Sequence, residues 1–160
     1  MWKIALALVL LLAPPPVVLD AAHRAAHTSP LPEGEDATVA MLLAIGQHES
    51  GFRDSVRTCA KLGDGGLAYG TYQLHERAMG NYTTEDVCRN DYVQAWLAIG
   101  VLRRARRMWP ELGLEGAVRA YASGTAKRDS KAAREIWDLY LRRLQTADHR
   151  LQVLSPDPAL

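Results

Sequence analysis

Charge of one sign is what this chain lacks first. Its 19 Lys and Arg face 18 Asp and Glu, a formal net charge of +1. Strong electrostatic steering is therefore not a property of the whole protein, and a nucleic-acid partner is not expected. Cysteine is scarce too. Cys59 and Cys88 are the whole supply, too few for a zinc site. No HExxH or CxxC spacing occurs, and His48 and His75 stand apart, so no metal or cofactor is expected. In an exported chain the two cysteines would pair and close a loop of about 30 residues. In a reducing compartment they would be buried thiols. No internal repeat is visible. No apolar run is long enough to span a membrane, which takes about 20 residues.

The longest apolar run, residues 4–13, follows a lysine and is stopped by Pro14, Pro15 and Pro16. It fits the core of a signal peptide, with Ala21-Ala22 as a candidate cleavage site, or an uncleaved membrane anchor. The expected plan is a signal peptide or anchor at 1–22, a linker at 23–35, one domain at 36–148 and a loose tail at 149–160. An apolar fraction of 48% suffices for a core.

Within that domain the spacing predicts helices at 36–50, 91–108, 114–123 and 130–147. Pro110 ends the second, Gly124 ends the third and Ser130 caps the fourth. Between the first two lies a glycine-rich stretch, "KLGDGGLAYG" at 61–70, expected as an irregular loop or a small β-hairpin. The fold class is mainly α, with that insertion near its middle.

The first helix ends on Gln47-His48-Glu49-Ser50-Gly51. Met41, Leu42 and Ile45 form an apolar face, and Glu49 falls at its next position. A glutamate there meets the helix dipole at its unfavourable end and sits on the side expected to be buried. Such doubly broken preferences mark functional sites. Both effects disfavour the anion and raise the pKa. The plainer alternative is a solvent-facing Glu at a frayed helix end.

Three pieces follow in order: Glu49-Ser50, Gly70-Thr71-Tyr72-Gln73 and Ala120-Tyr121-Ala122-Ser123-Gly124. Together they resemble the lytic transglycosylase SLT family of the lysozyme-like group, over residues 36–145. That family shows E-S, G-x-x-Q and A-Y-N-x-G. Here Ala122 replaces the usual Asn, and Thr71-Tyr72 replaces the commoner Leu-Met. The resemblance implies a helical domain with a glycan-binding cleft, and cleavage of the β-1,4 bond between N-acetylmuramic acid and N-acetylglucosamine. In that family one glutamate acts first as acid and then as base, giving a 1,6-anhydromuramoyl product.

By the same resemblance Glu49 is the acid/base, Gln73 bonds an N-acetyl group and Tyr121 orients Glu49 or lines the cleft. Ser50 holds the acid or the sugar, and Tyr69 and Tyr72 stack on sugar rings. Each has a plainer reading: Ser50 a helix-end cap, Gln73 a surface amide, Tyr121 a core residue, the loop tyrosines local packing. Asp64 and Glu76 are the candidate second carboxylates of a hydrolytic muramidase; both also suit a turn or a solvated face. His48 is expected at the surface. Arg103, Arg104, Arg106, Arg107, Arg142 and Arg143 are expected on solvated faces, or drawn to an anionic wall or lipid headgroups. The partner implied is peptidoglycan, met by an exported monomer in the periplasm or outside the cell. A glycan-binding protein without activity and a membrane-anchored interaction module are the alternatives from other classes.

Overall fold

Three prolines end the apolar N-terminal run, and the third of them starts a helix. The computed structural model describes residues 13–154, with side chains as far as residue 146. Residues 1–12, most of the expected leader, and residues 155–160 lie outside the described residues.

Helix α1 is Pro16–Thr28, with Pro16 in its first turn, where the missing N–H costs nothing. Val18, Ala21, Ala22, Ala25 and Ala26 are buried. This corrects the expected boundaries. Residues 16–22 belong to the folded core, and residues 23–28 are helix rather than linker. Alanine is the strongest helix former, and its small side chain lets α1 lie close against its neighbours. The connection at 29–34 is short and pinned: Thr38 Oγ1 accepts the Leu31 N–H at 2.8 Å and donates to the Gly34 carbonyl at 2.7 Å.

Helix α2, Glu35–Ser50, is the centre of the molecule. Every residue from Ala37 to Gly46 is buried. The single face expected at Met41, Leu42 and Ile45 widens to the whole circumference, as in any helix apolar on all sides. Its left-handed cap is Gly51, at φ 58°.

The glycine-rich middle is built from small pieces. They are helix α3 (Asp54–Arg57), a 3-10 turn (Asp64–Gly66), strands β1 (Ala68–Tyr69) and β2 (Leu74–His75), and helices α4 (Glu76–Met79) and α5 (Thr84–Arg89). The strands are antiparallel, pairing Ala68 with His75 and Tyr69 with Leu74. Cys59 and Cys88 form a disulfide, with Cα atoms 5.4 Å apart. A loop of that size gains about 3–4 kcal/mol from the cross-link in the chain-entropy picture.

Helix α6, Asp91–Met108, has the expected bounds. Asn90 caps it, its Oδ1 accepting the N–H groups of Tyr92 and Val93. Its buried seam holds Val93, Gln94, Leu97, Ala98 and Leu102, whereas Met108 is exposed. Helix α7, Gly113–Ser123, stops at a left-handed Gly124. Helix α8, Lys131–Leu154, starts with Ser130 Oγ accepting the Ala133 N–H. It outruns the expected end at 147, because no breaker precedes Pro156; residues 149–154 are helix, not tail.

The chain is mainly helical with one small two-stranded sheet among the described residues. α1 packs on α6 and α2, α8 packs on α2 and α7, and α7 packs on α6. Two arginines expected in solvent instead dock the α1–α2 connection. Arg103 donates to Ser29 Oγ and to the Pro30 carbonyl, and Arg106 pairs with Glu33. Among the described residues no helix is long and apolar enough to cross a membrane.

Candidate active site

The end of α2 is held against the hairpin by a glycine. A Cβ at Gly46 would lie 2.8 Å from Phe52 Cε1 and 3.0 Å from Thr71 Cγ2. Only glycine lets the helix approach this closely. One turn on, Ser50 is fully buried. Its hydroxyl donates to the Gly46 carbonyl at 2.8 Å and accepts the Phe52 N–H at 3.1 Å. Ser50 is thus a helix-end clasp, and its expected contact with sugar is corrected. The clasp holds Phe52 at φ 56°, a left-handed conformation that a bulky residue rarely adopts. The chain therefore reverses sharply just after Glu49.

Glu49 itself is half-buried at this corner. Burial alone pushes its carboxyl from near 4.5 up to about 7. No neighbouring carboxylate among the described residues contributes to the rise. Tyr121, from the last turns of α7, lies within the electrostatic reach of Glu49. Its phenol is raised well above its ordinary value, first by burial, then by the Glu49 charge, then by Tyr72. The Tyr121 hydroxyl donates to the Tyr72 carbonyl at 2.7 Å. So α7 is bonded to the hairpin turn through Tyr121 and Tyr72, and Tyr121 lies within the electrostatic reach of Glu49 at the end of α2.

The Tyr72 side chain does something else. It is fully buried, and burial raises its phenol, helped by the charge of Asp91. Its ring belongs to the core and is no platform for a sugar, which corrects that expectation. Gln73 folds back over the hairpin. Its Nε2 donates to the Gly70 carbonyl at 2.9 Å, and its Oε1 would sit 1.6 Å from any Cβ at Gly63. Tyr69 is half-buried at the hairpin edge, its hydroxyl 3.4 Å from Glu76 Oε1.

The candidate second carboxylates are both exposed on the hairpin side. Asp64 Oδ2 lies 3.4 Å from His75 Nε2, and Glu76 faces Tyr69. Neither is brought to Glu49 by any contact. His48, expected at the surface, is half-buried and turns away to α8, its Nδ1 3.4 Å from Glu135 Oε2. Among the described residues no group of three or more His, Cys, Asp or Glu could hold a metal ion.

Comparison with protein-family models, with curated proteins and with solved structures found no match.

Two positioning residues escaped the sequence reading. Gln94 of α6 is buried, and its amide makes three bonds. Oε1 accepts the Thr71 N–H at 2.7 Å, and Nε2 donates to the carbonyls of Val87, at 2.7 Å, and Arg57, at 3.1 Å. It pins the hairpin turn to the rest of the protein. A Cβ at Gly70, already at φ 72°, would meet Gln94 Oε1 at 2.4 Å. The signal available was a lone amide on an apolar helix face. Arg143 is the second. Read as solvated, it is half-buried, and burial lowers its guanidinium pKa. It donates to Gln47 Oε1 at 2.6 Å, fixing α8 beside the end of α2.

Chemically the corner offers one carboxyl that holds its proton to about neutral pH. The Tyr121 phenol lies within its electrostatic reach, and no acidic partner among the described residues shares the load. This arrangement suits proton donation to a leaving oxygen, then return of the proton to the same group.

Proposed function

We propose that the chain is a peptidoglycan-cleaving lytic transglycosylase of lysozyme-like fold, exported from the cell. It cuts the β-1,4 bond between N-acetylmuramic acid and N-acetylglucosamine. Glu49 protonates the departing oxygen and then, as carboxylate, takes the proton from the sugar's own 6-hydroxyl as the anhydro ring closes. The observation that carries this reading is the half-buried Glu49, without a neighbouring carboxylate among the described residues, its pKa pushed up to about 7. A two-carboxylate hydrolase needs its second acid about 5–9.5 Å from the first. The exposed pairings of Asp64 with His75 and of Glu76 with Tyr69 give those acids other employment. Tyr121 orients the acid. The order Glu49-Ser50, Gly70 to Gln73 and Ala120 to Gly124 supports the family resemblance, and Ala122 in place of Asn is its weakest match.

Digestion of purified sacculi, followed by mass analysis of the soluble products, tests the proposal. Anhydromuramoyl ends are expected. Reducing ends would make the protein a hydrolytic muramidase. Glycan binding with no soluble product would make it a binding protein.

A further inference from the structure

A groove lies along the exposed face of α6, and Glu49 is not part of its lining. It has a volume of about 570 Å³ and is lined by Met79, Tyr82, Trp96, Gly100, Arg104 and Arg107, among others. Four of these, Trp96, Gly100, Arg104 and Arg107, recur at helical spacing on one stripe of α6. Tyr82 and Trp96 are 40% and 38% exposed and meet edge to face, with ring centroids 6.0 Å apart. Large aromatic rings left half in water present an apolar face to a ligand. Nothing lies within 4 Å of a Cβ position at Gly100. The missing side chain keeps the floor open between the rings and the two cations.

Charge decides the kind of occupant. The lining holds two arginines and no acid. Arg103 and Arg106, their immediate neighbours, are held by Ser29, Pro30 and Glu33. Arg104 and Arg107 are exposed and have no carboxylate partner among the described residues. A pair of guanidinium groups one helical turn apart suits a carboxylate, which each can grip with two parallel N–H donors. The volume is that of a small-molecule site.

We propose that this groove is an accessory site for an acidic sugar. The C–H face of the sugar ring packs on Trp96 and Tyr82, and its carboxylate lies between Arg104 and Arg107. The choice of a sugar rests on the proposed glycan substrate; the match of ring face and anion rests on the groove alone. The site would hold a strand carrying carboxylates at a distance from the bond being cut.

The test uses the full-length protein and N-acetylmuramic acid as probe, followed by NMR at the indole N–H of Trp96. That resonance is expected to shift saturably with the acidic sugar. N-acetylglucosamine, without the carboxylate, is expected to bind at least tenfold more weakly. Replacing both arginines (Arg104→Gln with Arg107→Gln) should weaken binding tenfold or more, and Gly100→Leu should abolish it by filling the floor. Glu49→Gln should leave it unchanged. Equal binding of the neutral sugar, or indifference to the arginine changes, overturns the proposal. So does loss of binding to equimolar inorganic phosphate, or arginine-dependent sedimentation with anionic phospholipid vesicles without any sugar response. A Trp96 response in a protein that leaves sacculi intact retains this site and sinks the transglycosylase. Cleavage with a silent Trp96 does the reverse.

Discussion

Glu49 holds its proton to about pH 7 because burial disfavours its anion, and that has a cost the folded state carries. An unfolded Glu releases its proton near 4.5. Between those values the folded state binds the extra proton. The group's stabilising contribution is therefore complete below about pH 4.5 and is lost as pH rises through about 7, a change on the order of 3 kcal/mol. Glu49→Gln is neutral throughout and removes this dependence. In denaturant titrations the variant should match its parent within about 1 kcal/mol at pH 4, and exceed it by roughly 3 kcal/mol at pH 8.5. Equal stability at both pH values would mean a solvated carboxylate. Gln94 makes the opposite kind of contribution. Gln94→Leu leaves the buried Thr71 N–H without its partner and takes one bond each from the carbonyls of Val87 and Arg57. At about 1–3 kcal/mol for an unsatisfied buried group, the loss should be at least about 1 kcal/mol by the same titration.

Among the elements, those bounded by strong punctuation were legible. Helix α6 was readable at both ends, because Asn90 and Asp91 announce the start and Pro110 the stop. The glycines after α2 and α7 served equally well. Helix α1 was missed because its core is alanine, which says helix but not burial. The mixture of Ala, Pro, Gly and polar residues from 20 to about 35 suggested a linker. Ala22 is fully buried where α1 meets its neighbours, so Ala22→Leu should cost about 1–3 kcal/mol by overpacking, read as a lowered melting temperature. Processing at Ala21-Ala22 would cut α1 in half and take Val18 out of the core. Deleting residues 1–22 should accordingly lower the melting temperature further than Ala22→Leu does. Of the site, Glu49 was readable because it broke two preferences at once. Tyr72 was misread because a two-residue strand pair carries too little alternation to say which ring turns inward. Ser50 and Gln73 serve the backbone of their own turns, and residue type alone does not separate that from a ligand contact.

At the scale of the molecule, Tyr121 links two segments far apart in sequence: its hydroxyl bonds the hairpin turn, and it lies within the electrostatic reach of Glu49 at the end of α2. The disulfide from Cys59 to Cys88 and the bonds of Gln94 fasten the hairpin side, while α8 braces the helix end through Arg143 and Gln47. A near-neutral whole does not prevent local charge, and the α6 groove concentrates two cations on an otherwise balanced surface. Under the proposed function, the one proton held by Glu49 does the cutting. The most direct measurement is the rate at which purified sacculi dissolve between pH 5 and 9, for the parent and for Glu49→Gln. A parental rate that falls away above about pH 7 along a single ionisation, with no activity in the variant at any pH, is the predicted result. A folded Glu49→Gln protein that dissolves sacculi at the parental rate would contradict it.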